Sequence, residues 1–588
     1  MEFRTKSMCA AATALAVAAV GGAVPRAHAT PTAADRTAAV VAGAVSALRD
    51  HAAALGFPTD RSGPQGLGRD YRVRSVDVMA DRDGSTHVRM ERTFRGLPVR
   101  GGDFVVHRAG DGRWTGASAS FTHRLDDLPS APLVDAPAVA WMVPAGSVLR
   151  GKPQLMIDTR HGPAALAWDV ESVGRQPDGT PSHRHTYVDA VSGAIRFRAE
   201  LVQTFLPTDR ALTAAPGGSP TSRTGTPGRG AGASGTGHSL YAGDVTLATS
   251  QAQREYVLKD PIRGGGWTVD ARNADDSDLP GLPSRWGGIG EALFRSPTNE
   301  WGDGTATNRQ SAAVDAQYGQ AMTWDFYHDV FGRSGVADDG VGVRSRVHYG
   351  QSLVNAFWSE DCHCVTYGDG DGEQTGPLVA LDIIGHETTH GITGQTAKLA
   401  TDGESGGLNE STSDIFGTMI EFHADNPAVP AEYLMGAAVF LSPRSGRGMP
   451  KAIRYLDRPS RDGQSPDCWD SQVGQLDPHL AAGIGNHFFY LLAEGSGRKR
   501  INGIGYDSPT CDRQKVTGIG RDAAAAIWYR ALTHYFTSAT DYPAARAAVL
   551  QATTDIYGAG STQASAVEAA WEAVGLGPAG DRSPAPTG

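Results

Sequence analysis

Two textures of apolar patterning divide the chain. From about residue 30 to 205 the apolar positions alternate over short segments, as in His87-Val-Arg-Met-Glu-Arg-Thr-Phe94 and Phe104-Val-Val-His107, which predicts strands. Leu166-Ala-Trp-Asp-Val170 and the stretch from Tyr187 to Arg196 continue the pattern, with Ser192-Gly193 suited to turn a hairpin. Past residue 240, Val245-Thr-Leu247 and Arg254-Glu-Tyr-Val-Leu258 again read as strands. The period then changes. The apolar run Pro377 to Ile384 leads into the residues after it as the entry of a buried helix would, and apolar side chains at 408, 415, 416, 419, 420 and 422 fit one face of a second helix. Helical patterns over 482–494, 521–537, 541–557 and 562–575 fill most of the remainder. The expected class is α+β, strand-rich first and helical last. In between, Thr213 to Gly237 has no aromatic and no Ile, Leu, Val or Met, so 206–238 is expected to be a disordered linker, open to proteolysis.

Composition changes this picture little: 588 residues suggest three or four domains, and 40% hydrophobic with 20% charged is ordinary for a globular protein. A net charge of −11 argues against nucleic acid as a partner, since that polymer rewards basic stripes. Arg4 and Lys6, the Ala/Val-rich run Ala10 to Val24 and Ala27-His-Ala29 predict a signal peptide over 1–29, hence secretion, with no membrane anchor. The tail, 578–588, shows no sorting signal. Cys9 leaves with the signal peptide, so Cys362, Cys364, Cys468 and Cys511 remain as an even set in an oxidising compartment. Three pairings are possible; Cys362–Cys364 as a tight local loop and Cys468–Cys511 across the helical half are favoured.

The chemistry concentrates in His386-Glu387-Thr388-Thr389-His390. Residues four apart on a helix lie about 40° apart around its axis, so His386 and His390 can face one metal ion. Zinc takes such nitrogen ligands tetrahedrally and a catalytic site needs a third protein ligand, for which Glu410 is the candidate. Glu387, beside the pair, is placed to act as a general base. Asp414 shares a helix face with Glu410 and can orient one ligating imidazole, while Asn409 can serve the other. HExxH alone arises by chance in roughly a few per cent of chains with this histidine content, so the downstream Asn-Glu-x-x-x-Asp arrangement carries much of the specificity.

HETTHGIT, GGLNESTSDIFGT, Asn355-Ala-Phe-Trp358 and a helix containing Asn486 together resemble the thermolysin-like neutral metallopeptidases over roughly residues 240 to 577, the secreted actinomycete members above all. The resemblance implies a two-lobed catalytic domain, β-rich over 239–395 and helical over 396–577. It implies one catalytic zinc on His386, His390 and Glu410, with Glu387 as base in an endopeptidase acting on protein and peptide substrates. By the same likeness His479 stabilises the oxyanion with Asp477 to orient it, and Asn355, Ala356 and Arg454 hold the substrate backbone. Leu378, Ile383 and Ile453 are candidates for the wall of an apolar pocket after the scissile bond, so cleavage falls before Leu, Phe, Ile or Val. Asp382 and Glu421 match positions that bind structural calcium.

Two departures stand out. Thr401 replaces a tyrosine that donates to the oxyanion, and Ala437 stands where an acidic calcium ligand is common. Losing one oxyanion donor lowers rates by on the order of 10²–10³, so a slower enzyme is expected. In the first part, Thr93 to Phe104 resembles the fungalysin/thermolysin propeptide motif, expected over about 60–107, and about 130–200 a peptidase-associated propeptide module. Residues 30–205 are then a propeptide, a folding aid and inhibitor removed by a cut between about 202 and 238, and the enzyme is a monomer. The rival expectation is a secreted binding protein on a degenerate protease scaffold, which the intact zinc ligands and base argue against.

Overall fold

The computed structural model describes residues 33–208, 231–275, 291–442 and 451–578. The expected signal peptide, the tail from 579 and the middle of the expected linker, 209–230, lie outside the described residues.

Ten strands between Tyr71 and Glu200 form one sheet. Along its main path neighbouring strands are antiparallel except where Leu97–Arg100 lies parallel to Gln154–Asp158, the one seam joining two hairpin-built halves. The helix Ala33–Asp50 covers the first half, burying Leu48 with Phe57, Tyr71, Phe94 and Phe104. Thr86–Phe94 alternates as predicted, yet both its faces are covered. His87 and Arg89, on the polar face, are buried against the helix Arg521–His534. Arg89 donates to the carbonyls of Thr533 and Phe536 at that helix's C-terminal end, where the helix dipole favours a cation.

A six-stranded sheet runs in the order Gln203–Thr204, Ala356–Ser359, Cys364–Gly368, Arg344–Tyr349, Trp267–Asp270, Ala292–Leu293. A five-stranded sheet includes Asp244–Ala252 and Ala231–His238. The latter strand corrects the linker expectation. Ala231–His238 pairs along its length with Asp244–Ala252, and Thr236 to His238 pair with Glu300–Gly302. Composition misled because the partners supply the bulk: a Cβ at Gly235 would lie 2.5 Å from Asn299 Oδ1, and one at Gly237 would lie 2.5 Å from Val314. Leu206, at the other end of the expected linker, is also held, by Asn355. The two cystine pairs are Cys362–Cys364 and Cys468–Cys511, the favoured set.

Two buried helices form the centre. Leu381–Gln395 begins four residues later than the apolar run that leads into it, after an extended Ala380. Gly403–Ala424 begins five residues before the predicted start, because three glycines and a serine hide its first turn from propensity. The helices touch through glycine. A Cβ on Gly417 would lie 2.5 Å from the Asp382 carbonyl oxygen and 3.2 Å from the His386 nitrogen, and one on Gly385 would lie 3.0 Å from Gly417 Cα. Helix propensity favours alanine by about 1 kcal/mol, but forcing two backbones apart costs about 1–3 kcal/mol. Gly417→Ala is therefore expected to lower the melting temperature and, by displacing His386, to weaken zinc binding; an unchanged melt and zinc titration would refute the close contact.

Candidate active site

Leu381–Gln395 places His386 and His390 one turn apart, both fully buried, with Nε2 atoms 3.0 Å from each other. Gly403–Ala424 brings Glu410 beside them, 3.4 Å from His386 Nε2 and 3.6 Å from His390 Nε2. The outer nitrogens are engaged: His386 Nδ1 meets Asp414 Oδ1 at 2.8 Å, and His390 Nδ1 meets Asn409 Oδ1 at 3.0 Å. With Nδ1 donating, two imidazole lone pairs and a carboxylate converge. Three ligands each about 2.05 Å from a tetrahedral ion lie about 3.3 Å apart; here the two nitrogens are 3.0 Å apart and each has one of the two Glu410 oxygens at 3.4 or 3.6 Å, close to that spacing. The donor set fits zinc. The groups also titrate apart: burial holds His390 down at about 4, while Asp414 and Glu410 outweigh burial and raise His386 to about 9. Against its own burial, His479, His390 and His386 keep Glu410 ionised, at about 2.

Glu387 lies on the same helix, completely buried, and neither carboxylate oxygen has a hydrogen-bond partner. Burial pushes its pKa to about 8, with Glu410 adding to the rise; His386 and His479 only partly offset this. His479 is the second residue of a short helical turn, Pro478–Ala481, that Asp477 caps. Asp477 Oδ1 is 2.7 Å from His479 Nδ1, and with Glu410 it raises His479 to about 9 despite burial. Arg454 clasps Asp414 with Nε and Nη2, each at 2.7 Å. Asn486 donates to Asp414 as well, at 2.8 Å.

The substrate-binding candidates also come together, around a segment of the chain itself. Asn355, Ala356, Arg454 and His479 all contact the main chain of Thr204 to Leu206. Leu378 and Ile383 share a core with Phe205, and a Cβ on Gly436 would lie 2.8 Å from Ile453 Cδ1 and 3.0 Å from a Phe205 ring carbon. The Thr401 hydroxyl is buried without a partner in the turn between the two helices. Asp382 and Glu421 are buried near a third acid, Glu432, that sequence reasoning missed. Burial is the first cause in all three, with Asp414 adding to the rise of Asp382 and Asp382 adding to that of both glutamates: Asp382 to about 6, Glu432 to about 8 and Glu421 well above its usual range.

Phe205 was missed too; the signal was a lone bulky aromatic between polar Gln203-Thr204 and Leu206-Pro207, inside the span expected for cleavage. Asp402 was the other omission. It begins the glutamate helix but caps it with no side-chain bond, because its carboxylate accepts from Arg160 and His161 of the strand-rich first part.

Residues 234–394 match the thermolysin metallopeptidase catalytic domain, 397–576 its alpha-helical domain and 69–121 the fungalysin/thermolysin propeptide motif. The chain is 39% identical over 521 residues to a transglutaminase-activating metalloprotease of Streptomyces mobaraensis, covering 87% of this chain but only 62% of that protein. It is 32% identical over 527 residues to thermolysin of Bacillus sp. (strain EA1), covering 86% of each. Among solved structures, the precursor of protealysin from Serratia proteamaculans aligns at 26% identity with a TM-score of 0.39, over 53% of this chain and 87% of that one.

Proposed function

Because this chain belongs to the thermolysin family of metallopeptidases, we propose that it is a secreted zinc-dependent endopeptidase made as a zymogen, which cuts peptides before bulky apolar residues. The convergence of His386, His390 and Glu410 with the unpartnered Glu387 is the observation that carries this reading. When bound there, zinc supplies a Lewis acid that polarises the scissile carbonyl and acidifies water.

The chain's own groups do the rest. Glu387 takes the proton of the attacking water and returns it to the leaving amine. His479, its tautomer fixed by Asp477, donates from Nε2 to the carbonyl oxygen as charge grows there. Asp414 and Asn409 hold the ligand rings in orientation. Asn355, Ala356 and Arg454 align the substrate backbone, and Leu378, Ile383 and Ile453 belong to the apolar pocket. Thr401 supplies no second donor to the oxyanion.

Asp382, Glu421 and Glu432 together form the proposed calcium site: three buried acids, of which Asp382 raises the pKa of both glutamates, are stabilised as a group by a hard cation with oxygen preference. The proposed division is propeptide 30–205 and catalytic lobes 239–395 and 396–577. The propeptide acts as inhibitor, its Arg89 and Arg160 anchored in the helical lobe. No helix among the described residues is long and apolar enough to cross a membrane.

Incubation of the activated protein with casein provides the test. Hydrolysis is expected to stop under 1,10-phenanthroline and to return with added zinc. Hydrolysis that persists under the chelator overturns the mechanism, and bound zinc without any hydrolysis points instead to a binding protein.

A further inference from the structure

A second group of metal donors stands on the ten-stranded sheet, where the strands Ala165–Arg175 and Pro181–Asp189 pair antiparallel with Glu171 opposite His185. Side chains two residues apart share a face of a strand, so His183 and His185 project from the same side as Asp169 and Glu171. One ligand atom from each of Glu171, His183 and His185 lies within 4.8 Å of the other two. His183 Nε2 is 2.6 Å from Glu171 Oε1. The outer nitrogens are held as in the catalytic pair: His183 Nδ1 lies 3.2 Å from Asp361 Oδ2, and His185 Nδ1 lies 2.7 Å from Asp169 Oδ1. Carboxylates on Nδ1 fix the tautomer that leaves Nε2 to ligate a metal. Asp361 lies in the turn between Ala356–Ser359 and Cys364–Gly368, so its contact with His183 crosses from the propeptide to the catalytic part.

We propose that Glu171, His183 and His185 bind a zinc-like divalent cation, which clamps the propeptide to the catalytic part through Asp361. Two imidazoles and a carboxylate suit zinc above calcium or magnesium, which take oxygen ligands. Arg150 is the cation beside these donors. Its Nη1 is 3.4 and 3.2 Å from the two nitrogens of the His183 ring, and its Nε is 3.4 Å from Glu171 Oε1. A point nearly equidistant from both ring nitrogens at that range lies over the face of the ring, outside the plane that holds the Nε2 lone pair. The guanidinium therefore leaves the ligand position open, and the carboxylates of Asp169, Glu171 and Asp361 outnumber it. Another cluster of this kind, Asp81, His87 and His534, differs: Arg530 donates to both oxygens of Asp81 and meets His87 Nε2 at 3.2 Å, so a guanidinium already stands where an ion would. Side-chain exposure of 12% at His183, 20% at His185 and 32% at Glu171 leaves room for water as a fourth ligand and lets the donors settle about 3.3 Å apart. On binding, the ion displaces the proton that His183 Nε2 otherwise donates to Glu171, and that proton leaves to solvent. Metal on Nε2 makes the Nδ1–H of His183 a stronger donor, which tightens its bond to Asp361.

The full-length Glu387→Gln precursor, in which turnover is suppressed, is dialysed against zinc in excess calcium and its metal content measured. Two zinc ions per chain are expected, one on His386, His390 and Glu410 and one here. His185→Ala and Glu171→Ala, each added to that precursor, are expected to leave one ion per chain; the retained catalytic zinc and an unaltered far-ultraviolet spectrum show that the fold survives. Asp361→Asn changes only the catalytic side of the contact and is expected to weaken the second site by about 10–100-fold, since it weakens the acceptor that orients His183. In hydrogen exchange, zinc that fills the second site should slow the amides of 360–363 in the parent precursor and not in His185→Ala. One zinc ion per chain in the parent, two that persist in both alanine variants, an Asp361→Asn site as tight as the parent's, or exchange at 360–363 indifferent to zinc would each overturn the proposal. None of these outcomes depends on hydrolysis of casein, so the peptidase reading is tested apart from it.

Discussion

Glutamine in place of Glu387 lowers peptide hydrolysis by on the order of 10²–10⁴ while fold and zinc content stay as they were. The substitution keeps the shape of the side chain and changes only its ability to accept a proton. Neither oxygen of Glu387 bonds to another residue, so no structural contact is lost with the charge. Stability should if anything rise. Burial lifts the Glu387 pKa to about 8, so the ionised carboxylate is disfavoured in the fold at neutral pH, and a neutral amide removes that penalty. The check is kcat on a short peptide carrying Phe after the scissile bond, together with zinc stoichiometry and thermal melting. Turnover within a few-fold of the parent, with metal in place, would remove Glu387 from the mechanism.

Asp414→Asn has the second large effect, on stability and metal affinity at once. Asp414 is fully buried and accepts from Arg454, His386 and Asn486. Neutralising it leaves the Arg454 guanidinium buried without its counter-charge, and breaking such a pair costs about 3–5 kcal/mol. The His386 ring also loses the acceptor that fixes its tautomer, worth about 10–100-fold in metal affinity. The double variant Asp414→Asn/Arg454→Met separates the two. It should recover much of the melting temperature, because no unpaired charge remains, and should leave zinc affinity low. A single variant that loses less than about 1 kcal/mol would show that the pair is not an isolated buried unit.

The metal ligands were legible because they are local in sequence: a four-residue helical spacing fixes His386 against His390, and the same logic on the next helix fixes Glu410 against Asp414. The Arg454–Asp414 clasp was not, since 40 residues and a separate strand pair lie between its partners. The strand Ala231–His238 was hidden because its own residues bury nothing; what holds it is main-chain pairing and the bulk of its neighbours. Glu432 was missed for the same kind of reason: nothing in its local run marks it, and only folding sets it against Asp382 and Glu421. Phe205 resembles any aromatic at the end of a sheet until the cleft around it is assembled.

The short pairing of Gln203-Thr204 with Ala356–Ser359 also bears on how the molecule fares once its propeptide has gone. The outermost strand of the sheet then presents unpaired N–H and C=O groups along its length, a template that any extended chain can join. For an endopeptidase that open edge is a means of capture, since main-chain bonds recruit a peptide as an added strand whatever its sequence. The same indifference extends to partly unfolded copies of the enzyme itself. Concentrated, freshly activated protein should therefore lose activity by consuming its own population, whereas the precursor, its edge already taken, should keep in storage.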